Sequence, residues 1–279
     1  MPIEIQSDIR LFEQEEFHSL TRRVLRLAFD VHNDFGRFLD EELCKRELAT
    51  RCLDAGIIPV QREVRIRLVH AGFWKDYFMD LLLAEGLMVE AKAADCLAPA
   101  HHGQAVNYLL LAGIQHGLLV NFRAARVEHR FVSTKLTQTR RRQFQVDASR
   151  WMFANPEADW LQDCMLQLLK DWGAFLEVTL YRDAIIHFLG GPDMVCHPVD
   201  VVSGMNVIGT QDLFLLTAKA AFSISAIISN PEEYESHMSR FLNHTRLDCI
   251  HWINLNHHNI SFVTLVNSSN ISSPISFLP

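Results

Sequence analysis

Asp80, Glu90 and Lys92 are the charged residues on the two apolar arms of the segment 80–92, which is divided by the stretch Ala84-Glu85-Gly86. The segment Ala84-Glu85-Gly86 between the acids has the composition of a tight turn, so the stretch predicts a β-hairpin. If the turn centres near Glu85, Asp80 and Glu90 lie opposite each other with Cβ atoms roughly 5 Å apart. Lys92 follows on the same face of the strand. Carboxylates this close repel each other, and a hard divalent cation between them relieves that repulsion.

A simpler alternative is a surface ion pair between Glu90 and Lys92, which would contribute little to stability. The neighbouring segments 81–83 and 87–89 are entirely apolar, and such runs predict a buried central strand pair. A charge there is costly unless it is paired or bound to a metal. Burial of the two acids therefore distinguishes the two interpretations.

The hairpin pattern of Asp80 followed by Glu90-Ala-Lys92 resembles the PD-(D/E)XK nuclease superfamily. Within it, residues 31–132 are similar to the bacterial GxxExxY family. The similarity includes an opening helix motif and, after the hairpin, a closing helix and strand at 99–109 and 117–122.

The naming motif of that family is only partly present. Ungapped, its Gly, Glu and Tyr positions are Phe38, Glu41 and Cys44. Only the acid is retained, and the loss of the tyrosine bears on helix packing or substrate contact and not on the metal ligands.

The resemblance implies a metal-dependent nuclease that hydrolyses phosphodiester bonds, with DNA as the expected substrate. Asp80 and Glu90 would hold Mg²⁺ or Mn²⁺, and Glu41 could add a third acid. Lys92 would position the attacking water or stabilise charge in the transition state. The alternative for Glu41 is a solvated helix charge.

The helix after the hairpin supplies further candidates, because His101, Gln104 and Tyr108 share one helix face. In the resembling family this face looks toward the metal, so Gln104 is a candidate catalytic residue and the other two are candidate substrate contacts. A capping role for His101 and core packing for Tyr108 are the alternatives. Arg65 and Arg67 are candidate phosphate contacts or solvated charges.

Hydrophobic periodicity along the first half predicts the element order α-α-β-β-β-α-β-β. The expected fold class is α/β, a PD-(D/E)XK nuclease-like (restriction-endonuclease-like) mixed sheet flanked by helices. We expect this domain at 1–136, a linker at 137–150, a non-catalytic second α+β domain at 151–266 and a flexible tail at 267–279.

The second half, over 151–266, suggests a diverged internal repeat. Segments 173–177, 211–216 and 251–255 echo segments around Gly36, Gln104 and Leu119. It contains no Asp…Glu-x-Lys pattern, so it is expected to complete the core, form a homodimer surface or gate the substrate.

Charge and composition restrict the function further. The net charge is −7, yet residues 1–142 hold 20 basic and 19 acidic side chains, so nucleic-acid contact is expected in the first half. The weak basic balance argues against tight, indiscriminate binding to a duplex. The six cysteines show no zinc spacing, no apolar run reaches membrane-span length, and the start is unlike a signal peptide, so we expect a cytoplasmic protein. A second functional hypothesis is a non-catalytic nucleic-acid-binding or assembly module that keeps the nuclease fold.

Overall fold

The computed structural model describes residues 2–152 and 156–268. Contacts divide the chain into a first unit, residues 1–140, and a second unit, residues 141–279. Each unit contains a six-stranded mixed sheet with helices packed on it. The mixed α/β class predicted from the sequence is therefore confirmed.

The first unit follows the predicted order and adds one short strand at its start and one short helix at its end. Its elements are β1 (Ile3–Ile5), α1 (Gln14–Phe35), α2 (Glu41–Asp54), β2 (Val60–His70), β3 (Phe73–Leu83), β4 (Leu87–Lys92), α3 (Pro99–Ala112), β5 (His116–Asn121), β6 (Glu128–Ser133) and α4 (Gln138–Arg141). The sheet order is β1-β2-β3-β4-β5-β6, with β4 and β5 parallel and the other neighbours antiparallel.

Packing in this unit explains the sequence pattern. The apolar stripe of α1, including Phe17, Val24 and Val31, is buried against the sheet together with Leu48 of α2. All six residues of β4 are buried, as expected for a central strand paired in parallel with its neighbour. The charges of this strand therefore lie in the interior and not on the surface.

The second unit contains β7 (Gln145–Arg150), α5 (Pro156–Trp172), α6 (Val178–Phe188), α7 (Pro192–Val195), β8 (Cys196–Ser203), β9 (Asn206–Thr217), β10 (Ala220–Ser225), α8 (Pro231–Leu242), β11 (Cys249–Asn256) and β12 (Asn259–Val266). Its sheet order is β7-β12-β11-β10-β9-β8. From β8 to β12 the successive pairings are antiparallel, antiparallel, parallel and antiparallel. The strands β2 to β6 of the first unit have the same sequence of pairings.

One of the sequence echoes falls on different elements. Residues 211–216 lie on β9, whereas the segment after Gln104 that they echo is helical and lies in α3. That alignment was wrong, because a short run of apolar residues is compatible with a strand and a helix alike. In contrast, residues 251–255 lie on β11 and their echo at 119–121 lies on β5, the strands after the crossover helices α8 and α3.

Two segments expected to lack structure contain ordered elements. The strand β7, within the predicted linker, pairs in parallel with β12. Asn267, assigned to the tail, is buried and donates hydrogen bonds to the carbonyls of Leu242, Thr245 and Leu247. Residues 269–279 of the predicted tail lie outside the described residues.

Among the helices of the described segments, none is sufficiently long and apolar to traverse a membrane.

Candidate active site

The β3–β4 hairpin forms with the predicted turn. Leu83 pairs with Leu87 and Leu81 with Val89, and the same register continued by one step brings Asp80 level with Glu90. Ala84 and Glu85 adopt positive φ values of 49° and 61°. Gly86 is required for packing, because a Cβ there would lie 2.5 Å from the carbonyl oxygen of Arg10.

The two acids of the hairpin are almost completely enclosed. Asp80 is 7% exposed and Glu90 is 1% exposed. Asp80 Oδ2 accepts a hydrogen bond from the backbone N–H of Ala91 at 2.9 Å. Glu90 Oε1 accepts one from Lys92 Nζ at 2.8 Å. The Glu90–Lys92 pair therefore exists, but it is a buried pair and not the surface pair of the simpler interpretation.

One oxygen of this site lacks a partner. Glu90 Oε2 is buried and has no hydrogen bond to any described protein atom. A buried carboxylate oxygen without a partner carries a desolvation cost of about 1–3 kcal/mol or more. A divalent cation bound at this oxygen would offset that cost.

Burial disfavours the ionised form of both acids. Burial, followed by the charge of Asp80, raises the pKa of Glu90 to about 7. Burial also raises the pKa of Asp80. For Lys92, burial alone would lower the pKa, but the charge and hydrogen bond of Glu90 outweigh that effect and raise it. A bound cation would favour the ionised form of both acids, because it offsets the repulsion between them.

The first turn of α2 carries the third predicted acid to the same place. Glu41 Oε1 lies 3.8 Å from Lys92 Nζ, and its Oε2 accepts a hydrogen bond from the N–H of Ala93 at 3.2 Å. Its contacts are thus to the lysine and to the strand end.

Sequence reasoning missed two residues of the site, Lys45 and Glu63. Lys45 Nζ donates to Asp80 Oδ1 at 3.1 Å and to Glu63 Oε1 at 2.5 Å. The positions of Lys45 and Glu63 within their helix and strand were the only signals that could have indicated them. Lys45 is four residues after Glu41 and so shares its helix face, and Glu63 lies level with Asp80 in the β2–β3 register.

The helix α3 places its candidates differently from the expectation. His101 Nδ1 accepts a hydrogen bond from the N–H of Ala98, which makes it part of the helix cap. Gln104 Nε2 donates to the hydroxyl of Tyr108 at 3.0 Å, and Tyr108 packs against Tyr77. In the described residues, the hydrogen bonds of His101 and Gln104 do not reach the acids.

Of the two candidate arginines of β2, Arg65 lies at the middle of the strand and Arg67 lies further toward its end. Arg67 makes two 2.7 Å hydrogen bonds to Asp76 and stacks on Trp74. It is four residues beyond Glu63, or about 13 Å along a strand. Arg65 pairs with Phe78 on β3. The structure therefore does not gather these side chains around the acids.

The donor set suits a small hard cation. Among the described residues, no group of three or more His, Cys, Asp or Glu side chains is arranged as a ready metal cage. Mg²⁺ commonly uses one or two protein carboxylates and completes its shell with water and substrate oxygens. Asp80 and Glu90, with the unpartnered Glu90 Oε2, fit such an incomplete protein shell.

Asn121 binds the backbone just after Lys92 through two hydrogen bonds. Asn121 accepts a hydrogen bond from the N–H of Ala94 at 3.0 Å and donates to its carbonyl at 2.7 Å. Asn121 is also the strand partner of Lys92. We call this arrangement the asparagine clamp, and it holds the strand end that carries Lys92.

Residues 18–132 match the family model of the PD-(D/E)XK nuclease superfamily. The matched segment includes every candidate site residue and ends before the second unit. No curated protein matches the chain. A solved structure described as "Crystal structure of SSO0001" is similar at 14% identity over 48% of this chain and 71% of that chain, with a TM-score of 0.26.

Proposed function

We propose that the first unit is a divalent-metal-dependent nuclease that hydrolyses phosphodiester bonds in DNA. The observation that carries the proposal is the buried group of Asp80, Glu90 and Lys92, in which Glu90 Oε2 has no described partner. The match of residues 18–132 to a nuclease superfamily supports it. Within that superfamily, the motifs around Glu41 and Asn121 favour the GxxExxY family.

Asp80 and Glu90 would hold the ion, which the chemistry of carboxylate ligands suggests is Mg²⁺ or Mn²⁺. The bound ion would supply Lewis-acid polarisation of the scissile phosphodiester. Lys92 Nζ, held by Glu90 and 3.8 Å from Glu41, donates hydrogen bonds to the attacking water or to a phosphoryl oxygen. The four acids of the site, Asp80, Glu90, Glu41 and Glu63, outnumber its two lysines, Lys92 and Lys45. The site therefore attracts a cation before it can accept an anionic phosphate.

The direct test is cleavage of labelled single- and double-stranded DNA and RNA with Mg²⁺ or Mn²⁺. Lys92→Ala should abolish cleavage, and the exposed Lys135→Ala is the matched control that should keep it. Preference for DNA over RNA is read in the same assay. Cleavage that persists in Lys92→Ala would contradict the assignment.

A second candidate function, a non-catalytic nucleic-acid-binding or assembly module, is favoured by one contact. Lys45 already satisfies Asp80 Oδ1 at 3.1 Å, as expected for a site that works without metal. Mn²⁺ or Mg²⁺ should raise the melting temperature if the metal site is real, and Asp80→Asn should abolish the rise. No rise in the wild-type protein would favour the second candidate.

We also propose that the second unit is a diverged, non-catalytic copy of the first. Asn254 accepts from the N–H of Ile227 at 2.7 Å and donates to its carbonyl at 2.9 Å. This repeats the asparagine clamp of Asn121 with Ala94. Each asparagine follows its clamped residue by 27 positions.

The clamp aligns the two sets of strand positions. Ser225 is the strand partner of Asn254, as Lys92 is of Asn121. Two residues earlier, Ser223 corresponds to Glu90. With serines in place of the acid and the lysine, the second unit has no equivalent metal ligand on this strand. Calorimetry should therefore give one Mn²⁺ site per chain, and two sites would contradict the proposal.

Self-association through the second unit is a further part of the proposal. The supporting feature is the β8–β9 hairpin, whose tip exposes Met205, Val207 and Ile208. The mass of the protein in solution, measured by light scattering, should be that of a dimer and should fall to that of a monomer in Ile208→Asp. A monomeric wild-type protein would contradict this part alone.

A further inference from the structure

Lys45 is an interior lysine surrounded by acids. Its ammonium group lies 2.5 Å from Glu63 Oε1, 3.1 Å from Asp80 Oδ1 and 3.2 Å from Glu42 Oε2. An ammonium group has three hydrogens to donate, so these acceptors account for its full capacity. Its side chain is 11% exposed, whereas those of Glu42 and Glu63 are 43% and 44% exposed. Only Asp80 among its partners is buried with it.

Lys45 hydrogen-bonds the one oxygen of Asp80 that the backbone does not hold. Asp80 Oδ2 is held by the backbone of Ala91, which leaves Oδ1 as the oxygen that Lys45 covers. An ammonium group and a divalent cation a few ångström apart repel strongly in a site screened from water. The Lys45 ammonium group therefore opposes metal binding at Asp80 for as long as it stays in contact with this carboxylate.

Glu63 and Glu42 are alternative partners for the Lys45 ammonium group if it leaves Asp80. Glu63 has a φ of 50°, unusual for a residue other than glycine, within strand β2. It lies level with Asp80 between the pairs Arg62–Leu81 and Val64–Met79. A lysine that releases Asp80 can thus keep the half-exposed Glu63 and Glu42 as partners. Asp80 can be released without leaving the lysine charge unpaired.

We propose that Lys45 is a positioning residue that holds Asp80 in the metal-free protein and competes with the divalent cation for its carboxylate. This inference rests on the proposed metal-dependent function. In this role, Lys45 sets the concentration of free metal at which the site becomes occupied. A lysine that only stabilised the fold would, when removed, leave metal affinity unchanged or weakened.

The test is calorimetric titration of chelator-stripped protein with Mn²⁺. Lys45→Met removes the competing charge and keeps the aliphatic stem, so its Kd for Mn²⁺ should fall by about tenfold or more. Lys45→Arg keeps the charge and should remain near the wild-type Kd. Arg46→Met is the matched control, because Arg46 also bonds Glu42 but is exposed and one residue away from the site.

Each outcome bears on the proposal. Tighter binding in Lys45→Met alone supports it, including the case in which only that variant binds measurably. A wild-type protein that binds Mn²⁺ with the same Kd as Lys45→Met overturns this inference and leaves the nuclease proposal standing. Absence of binding in both overturns the metal site as well. If Lys45→Met does not fold, Lys45→Gln, which keeps hydrogen-bond donors without the charge, carries the same expectations.

Discussion

The two units have the same order and orientation of five strands, yet their equivalent strand ends are chemically different. In the first unit, β4 ends with Glu90 and Lys92 buried together. In the second, β10 ends with Ser223 and Ser225. Both ends are fastened by an asparagine clamp from the next strand, Asn121 or Asn254. The clamp is therefore a feature of the fold, and the charges are a feature of the first unit.

The hydrogen bonds at the two strand ends show that the buried charges of β4 carry an energetic cost. In the second unit, Ser225, at the position that corresponds to Lys92, donates through Oγ to Asn254 at 2.9 Å and accepts from Trp252 Nε1 at 2.8 Å. Neutral hydrogen bonds therefore satisfy this residue of the strand end. In the first unit, Glu90 Oε2 is left without a described partner. A buried charge that destabilises the fold is typical of a functional site, where activity and not stability has been selected.

The largest expected effect is a difference in cleavage activity between variants at the end of β4 and at the end of β10. Glu90→Gln should lower cleavage by about a thousandfold or more, because it removes a proposed metal ligand and the anchor of Lys92. Ser223→Ala, at the equivalent position of the second unit, should leave cleavage unchanged. Equal losses in both variants, measured on the same labelled DNA, would mean that the second unit is also catalytic.

The next effect is a dependence of stability on pH in the first unit. The folded pKa of Glu90, about 7, is above its ordinary value of 4.5. Its contribution to stability is thus fully present below about pH 4.5 and lost as pH rises to about 7, a change of roughly 3 kcal/mol. Thermal unfolding with chelator should show this decline, and Glu90→Gln should remove it. An unchanged decline in that variant would assign it to another group.

The second unit should respond to pH with the opposite sign. Burial lowers the pKa of His251 from 6.5 to about 4, so its contribution is present above about pH 6.5 and lost as pH falls toward 4. The loss is again roughly 3 kcal/mol. Tryptophan fluorescence during denaturant unfolding would measure it, since four of the five tryptophans are in this unit. His251→Gln should flatten the profile, and a profile that stays steep would contradict the expectation.

A smaller effect tests the shared clamp. Asn121→Ala and Asn254→Ala should each destabilise the protein by about 2 kcal/mol, because each leaves a backbone N–H and carbonyl without their side-chain partner. Denaturant unfolding would measure both. Similar losses would support equivalent roles, whereas a loss in one variant only would break the correspondence between the units.

The smallest effect concerns an arginine proposed from the sequence as a phosphate contact. Arg67 is engaged with Asp76 and Trp74, so Arg67→Ala should leave the cleavage rate and its salt dependence unchanged. A clear fall in cleavage, with a weaker salt dependence of binding, would restore Arg67 as a substrate contact.

The hairpin and its acids could be predicted from the sequence because the information was local. The turn residues, the alternation along β2 and the helix stripe of α1 each depend on neighbours within a few positions. The same local logic predicted that Glu90 and Lys92 would lie near each other. It also led to the misaligned echo at 211–216, where a short apolar run fitted two kinds of element.

The tertiary structure alone decided which charges meet. Lys45 reaches Asp80 from a helix 35 residues earlier in the chain, and the clamp joins residues 27 positions apart in each unit. No local pattern contains these contacts, because they depend on how α2 packs on the sheet and how β4 and β5 pair in parallel. The sequence by itself determined the acids, the lysine and their strands. The packing decided that an oxygen of Glu90 would be buried without a partner and that Asp80 would already be held by a lysine.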